Sequence, residues 1–157
     1  MERHHDRIFH LVRGIVGDWH QSEDVCQEVF ALIYRKLASF RNQSSFSTWL
    51  YRVAVNAALR ARKRWRSAAP AVPLDSARLL SVAAQRQAPA FEGDEVLRKL
   101  LAPLPAKLKA ALVLREVGGL SYNEIAQVLR CSRGAVEQRL HRAVTLLRKV
   151  WKESDWR

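Results

Sequence analysis

The stretch "LSYNEIAQVLRCSRGAVEQRLHRA", from Leu120 to Ala143, restricts the fold more than any other part of the chain. Ser121 and Glu124 form an S-x-x-E capping box, so a helix starts at a defined residue, with Ile125, Ala126 and Leu129 as its inner face. The three residues "RCS" make a corner, and Ser132 is placed to cap a second helix. In that helix Val136, Leu140, Ala143 and Leu147 recur at i, i+4, i+7 and i+11, the spacing of a buried stripe. Gly134, Gln138, His141, Arg142 and Thr145 then lie opposite the stripe, while Arg133, Glu137 and Arg139 flank it near the helix start. A helix-turn-helix of this kind inserts the amino-terminal part of its second helix into the major groove, where Arg pairs with guanine and Gln with adenine. Glu137 repels phosphate, yet a carboxylate accepts from cytosine N4. Residues 128–157 carry eight Lys/Arg against three Asp/Glu, which favours DNA over a helical hairpin whose arginines merely face solvent.

The whole chain has the same bias. With 27 Lys plus Arg against 15 Asp plus Glu, its net charge is +12, and a polyanionic partner is the first expectation. Glycine is scarce and apolar residues recur at helical spacing, so the fold is read as all-α: two small helical domains joined by a flexible linker, the second a helix-turn-helix. No apolar run approaches the roughly 18 residues of a membrane span, and "MERHHDRIFH" carries charges where a signal peptide needs an apolar core. A cytoplasmic protein is expected. Cys26 and Cys131 lack metal-ligand spacing and are read as free thiols.

Helices are expected from about Arg3 to Val16, stopped by Gly17, then from an N-cap at Ser22 to about Ala38, and from Thr48 to about Trp65, after the loop-like "SFRNQSSFS". These close a first domain, residues 1–66. Residues 67–93 hold Pro70, Pro73 and Pro89 amid alanine, serine and glutamine, and read as the linker, with one helical turn around Leu79. In the second domain, residues 94–157, a helix from Asp94 to Leu101 and one from Pro105, at N1, to Val117 precede the Gly118-Gly119 stop. The helix-turn-helix and a basic tail helix follow.

The first domain has two faces of opposite sign. Between Leu50 and Leu74 no residue is acidic, and Trp49, Arg52, Val53, Asn56, Arg60 and Lys63 share one helical face. Cations that hold a backbone, an aromatic that stacks and an amide that pairs with a base make up a single-strand binding surface; alternatively Trp49 is core and the cations are solvated. From Gly14 to Tyr34, by contrast, there is no Lys or Arg. Asp24, Gln27, Glu28, Ala31 and Arg35 share a polar face there, and the like charges of Asp24 and Glu28 at i, i+4 ask for a basic protein partner. Duplex-binding, single-strand-binding and protein-binding faces on one chain point to promoter opening.

On these residues the chain resembles the bacterial sigma factors of the ECF (extracytoplasmic function) group. "SEDVCQEVFALIYRKLASFRNQSSFSTWLYRVAVNAALRARKR" is similar to their first conserved domain and "LSYNEIAQVLRCSRGAVEQRLHRAVTLLRK" to their last, in the expected order. The resemblance implies that core RNA polymerase and promoter DNA are the partners. Asp24, Gln27, Glu28, Ala31 and Arg35 would dock on the polymerase clamp. Trp49, Arg52, Asn56, Arg60 and Lys63 would recognise the melted minus-ten element, with a base flipped out of the stack. Arg133, Glu137, Gln138, Arg139, His141 and Arg142 would read the minus-35 element as duplex. The linker, with Asp75, Glu92, Asp94 and Glu95, would thread toward the RNA exit path. An anti-sigma factor, often membrane-anchored in this group, would hold the protein inactive. Arg60, Glu137 and Gln138 depart from the residues commonest in the group, so a promoter sequence is not carried over. Relatives usually have about a further helical turn or more before the residues matching "ERHHDRIF", so the resemblance defines the first helix less well than the others.

Other readings explain less. His4, His5, His10, His20 and His141 form no H-E-x-x-H, and the chain has no glycine-rich phosphate loop or paired-cysteine site, so neither an enzyme nor a cofactor is expected; the terminal histidines are read as solvated. A stand-alone helix-turn-helix regulator would account for residues 94–157 but not for the acidic face or the Trp49–Asn56–Arg60 stripe.

Overall fold

The computed structural model describes residues 2–68 and 92–153, all of their regular structure helical. The expected helical turn around Leu79 and most of the linker lie outside the described residues. Helix α1, Glu2–Val16, buries Ile8, Leu11, Val12 and Ile15, spaced at i, i+3, i+4 and i+7. Gly17 ends it at φ +89°, its N–H donating to Arg13 O at 2.8 Å, as a C′ glycine does.

Helix α2, Trp19–Lys36, begins a turn earlier than expected. Its N-cap is Asp18, whose side chain accepts from Gln21 N at 2.9 Å, and Ser22 is buried within the first turn, its hydroxyl bonded to Asp18 O. The earlier start lets Trp19 pack edge-on to Phe9, 4.8 Å between ring centroids, and receive the Arg13 guanidinium at 4.7 Å. A short 3-10 turn, Leu37–Ser39, leads to α3, Phe46–Ala68. Ser45 caps α3 by accepting from Thr48 N at 3.1 Å, which places its start two residues before the expected Thr48. Buried Ala54, Ala57, Ala58 and Ala61 give α3 a small-residue face against which α1 and α2 pack.

Helices α4, Glu92–Leu101, and α5, Ala106–Glu116, follow, with Pro105 at the N-cap of α5 rather than at N1. Behind α5, Gly118 leaves no room for a side chain, since a Cβ would sit 2.6 Å from Leu114 O, and Gly119 turns at φ +66°. Both arms of the Ser121–Glu124 capping box form at the head of α6, Tyr122–Leu129: Glu124 N to Ser121 Oγ at 3.2 Å, and Ser121 N to Glu124 Oε2 at 2.7 Å. The inner face of α6 includes Val128 as well as Ile125, with Ala126 and Leu129 half-buried. Arg130 turns the corner at φ +49°, and Ser132 accepts from Ala135 N at 3.1 Å at the start of α7, Arg133–Glu153, one helix that contains the expected basic tail. Val136, Leu140 and Ala143 are buried as the spacing required, whereas Leu147, the last of the expected stripe, is half-buried.

The two helical groups share a core. α1 packs on α5 and α3 on α6, so Ile8, Leu11 and Ala58 belong to the same buried cluster as Val113, Leu114 and Ile125. α1 approaches α5 at Gly14, where a Cβ would lie 2.9 Å from both methyl carbons of Val113. Gly14→Ala is therefore expected to cost about 1–3 kcal/mol despite alanine's better helix propensity. Urea melts should show that penalty largely removed on a Val113→Ala background, which opens the space the new methyl needs.

Lys109 of α5 faces the same seam and is only 4% exposed. Burial, then the neighbouring charges of Arg62 and Arg66, lower its pKa to about 8. A lysine depressed in the folded state opposes folding below about pH 8, where it must carry its charge in both states, and ceases to oppose it as pH rises toward the unfolded value of 10.5. Lys109→Met is expected to be more stable than wild type at pH 7 by on the order of 1–3 kcal/mol, an advantage that shrinks by pH 10. Paired urea melts at the two pH values in chloride buffer check this.

Candidate nucleic-acid interfaces

On α3 the expected stripe divides in two. Asn56, Arg60 and Lys63 are exposed along one face, whereas Trp49, Arg52 and Val53 are half-buried. Trp49 stands in an aromatic cluster with Phe40 at 5.4 Å and Phe46 at 5.8 Å between ring centroids. Phe46 is 38% exposed, and His4 of α1 meets its ring edge-on at 6.1 Å. Trp49 is thus both packed on the core and part of an aromatic ledge beside Asn56. Phe40 and Phe46 were missed because they sit in or next to a loop, where no periodicity marks them. Arg52 keeps Nε buried without a hydrogen-bond partner, so this cation beside the ledge retains an unused donor.

On α2, Asp24, Gln27, Ala31 and Arg35 are exposed and Glu28 is half-buried. Arg64 of α3 donates to Glu28 Oε2 at 3.2 Å, so part of the compensation that the like-charged pair asks for comes from within the chain. Cys26, buried on the opposite side, has its thiol pushed up to about 11 by burial and then by Glu23, which keeps it protonated and unreactive. Glu95, counted among the acids of the linker, lies on α4 and pairs with Arg98 at 2.8 Å and Lys99 at 3.5 Å.

On α7 the outward residues are Arg133, Glu137, Gln138, His141 and Arg142, all exposed. Arg133 pairs with Glu137 at 3.2 Å, which neutralises the one carboxylate among these outward residues. Arg139 is half-buried and directs its guanidinium to Cys131 Sγ at 3.5 Å, bracing the corner instead of projecting from it. A concavity of about 250 Å³ lies beside the helix start, lined by Arg115, Ser121, Tyr122, Asn123 and Arg133. Arg115 donates to Leu120 O at 2.9 Å and lies over the Tyr122 ring at 5.2 Å. Arg115 and Asn123 are candidate phosphate contacts that sequence reasoning missed, because they reach Arg133 from other segments and share no helical register with it.

Comparison with known proteins decides the family. Residues 1–68 match Sigma-70 region 2 and residues 94–147 match Sigma-70, region 4. The chain is 37% identical over 160 residues to the RNA polymerase sigma-H factor of Pseudomonas aeruginosa, covering 90% of this chain and 78% of that protein. It is also 37% identical over 150 residues to the ECF RNA polymerase sigma-E factor of Escherichia coli, covering 87% of this chain and 78% of that one. The chain belongs to the ECF sigma factors. As an alternative sigma factor it directs promoter-specific transcription by RNA polymerase. Its fold is shared with CnrH, solved in complex with the cytosolic domain of CnrY (TM-score 0.74, 21% identity, 98% of this chain and 86% of that one). It is shared too with the sigma factor RpoE of Bartonella quintana, solved with the anti-sigma factor NepR (TM-score 0.70, 20% identity, 94% and 91% covered).

In this ECF sigma factor the exposed cations of α7 differ in what their loss should do. If Arg142 contacts a phosphate, Arg142→Ala should flatten the slope of log affinity against log salt for duplex DNA by about 0.9. An unchanged slope with relaxed sequence preference would make Arg142 a base reader. Filter-binding titrations at several salt concentrations separate the two.

Proposed function

We propose that the two helical groups divide the promoter between them. The exposed face of α3, Asn56, Arg60 and Lys63, with Trp49 and Arg52 behind it, takes the unpaired minus-ten strand. The amino-terminal half of α7, Arg133, Glu137, Gln138, His141 and Arg142, reads the minus-35 duplex, with Arg139 holding the corner that presents it. The α2 face of Asp24, Gln27, Glu28, Ala31 and Arg35 docks on core RNA polymerase. The observation that carries this reading is the difference between the two cationic faces: one is joined to an aromatic ledge suited to unstacked bases, and the other is a bare helix suited to a groove.

An anti-sigma factor is the expected regulator, since a sigma factor that shares this fold was solved in complex with one. No helix among the described residues is long and apolar enough to cross a membrane. A site of action on the polymerase, in the cytoplasm, fits the proposed role.

The test is reconstitution with bacterial core RNA polymerase on a mixed promoter library. Specific transcripts would yield both promoter elements. A chain that binds duplex tightly but gives no polymerase complex would instead be a stand-alone regulator. Asn56→Ala should leave minus-35 duplex binding within about twofold and slow strand opening at least tenfold, as read by permanganate footprinting. Loss of duplex binding with normal opening would remove α3 from the minus-ten role.

A further inference from the structure

Where the two helical groups meet, α1, α4, α5 and α7 enclose a cleft of about 1050 Å³. Its volume is of the order of pockets which take organic ligands, and nine of its lining residues are leucine or valine, among them Leu101, Leu112, Val113 and Leu147. Its charged lining is predominantly cationic: Arg7, Arg13, Arg62, Arg98 and Lys109 against Asp18 and Glu116. Asp18 is engaged in capping α2, and Arg98 is held by Glu95.

Lys109 differs from the others. It is almost wholly buried, the described residues give it neither a hydrogen bond nor an ion pair, and the charges that act on it are those of Arg62 and Arg66, both positive. Arg62 crosses the seam, yet it reaches Ile15 O and Leu104 O only at 3.5 Å each, the outer limit of a hydrogen bond. Buried cations are ordinarily paired, and here a lysine whose chain is buried and whose ammonium opens on the cleft, and a loosely satisfied guanidinium, line one cavity. An ammonium supplies up to three rotatable donors and a guanidinium a planar fork, a set that matches the oxygens of a tetrahedral anion.

We propose that Lys109 and Arg62, with Arg66 beside them, form an oxyanion site at the seam that takes a phosphate-type dianion, and that its occupant holds the two helical groups together. Because Arg62 comes from α3 and Lys109 from α5, the anion bridges the halves and favours the closed arrangement over any in which they separate. The same chemistry has two sources: a free phosphate compound, or the headgroup of an amphiphile whose chain lies along the leucine and valine wall. The inference stands apart from the assignment of promoter-reading residues.

The test is thermal unfolding of the full chain at pH 7, in sodium phosphate and in sodium chloride of equal ionic strength. Titrations with octyl phosphate below its micelle concentration, and with octanol as the neutral control, accompany it. A saturable rise in Tm of about 5 °C with phosphate over chloride is expected, with a smaller radius of gyration by X-ray scattering. Lys109→Met should melt higher than wild type in chloride and lose the phosphate-specific rise, and Arg66→Gln should weaken the phosphate midpoint about tenfold. Octyl phosphate binding at least tenfold tighter than phosphate would assign the site to a headgroup; equal midpoints would assign it to the free anion. Equal Tm in phosphate and chloride, with octyl phosphate no better than octanol, would overturn the site. A phosphate rise that survives in Lys109→Met would also overturn it, since the anion would then be held elsewhere on this basic surface.

Discussion

The buried alanines of α3 are the constraint on which the rest of the structure depends. Ala54, Ala57, Ala58 and Ala61 are all fully buried, and they let α1, α2 and α6 approach one helix closely. Larger side chains there would fill the space that those helices occupy, and packed cores accommodate such insertions poorly. The same helix turns Asn56, Arg60 and Lys63 outward, so the orientation of the candidate nucleic-acid face follows from the inward register of small residues. α3 is thus the central core element of its half and its candidate reading surface. Any change that rotates it inside the core also moves the amide and the two cations outside.

Local signals were the legible ones. The capping box at Ser121–Glu124, the cap at Ser132 and the stripe of Val136, Leu140 and Ala143 are decided within a few residues, and each took the expected form. The cap of α2 was misread because Asp18 and Ser22 are both good caps and stand one turn apart. What chose between them was the packing of Trp19 on Phe9 and Arg13, contacts made across two helices. The same limit hid Phe40 and Phe46, whose significance lies in meeting Trp49, and Arg115, whose place beside Arg133 depends on how α5 and α7 cross. The contact between the halves was illegible for a further reason. Gly14 carries no pattern of its own, and its meaning appears only against the two methyls of Val113.

The seam combines opposing forces. Apolar side chains from both halves form one buried cluster there, which favours closure, while Arg62, Arg66 and Lys109 bring three positive charges into or beside the same low-dielectric region. Arg62 and Lys109 are both held below their ordinary pKa values, burial being the larger cause in each. The opposition makes the seam sensitive to its surroundings in a way that a wholly apolar interface is not, because an anion offsets the repulsion and a rise in pH past about 8 removes the share that Lys109 contributes, while the attractive part is unchanged.

Closure leaves both candidate reading faces open. Asn56, Arg60 and Lys63 on α3, and Gln138, His141 and Arg142 on α7, are exposed in the arrangement in which the halves share a core. A partner that favours the closed arrangement would therefore act without covering either face. What closure fixes is the distance and angle between the faces, and simultaneous engagement of two sites on one DNA fails when the connecting geometry forbids it. In an ECF sigma factor built this way, the seam would govern whether the two candidate binding surfaces can be used together. Inhibition through the seam would then appear first as lost coupling between the two promoter elements, while the affinity of each half for its own element stays unchanged.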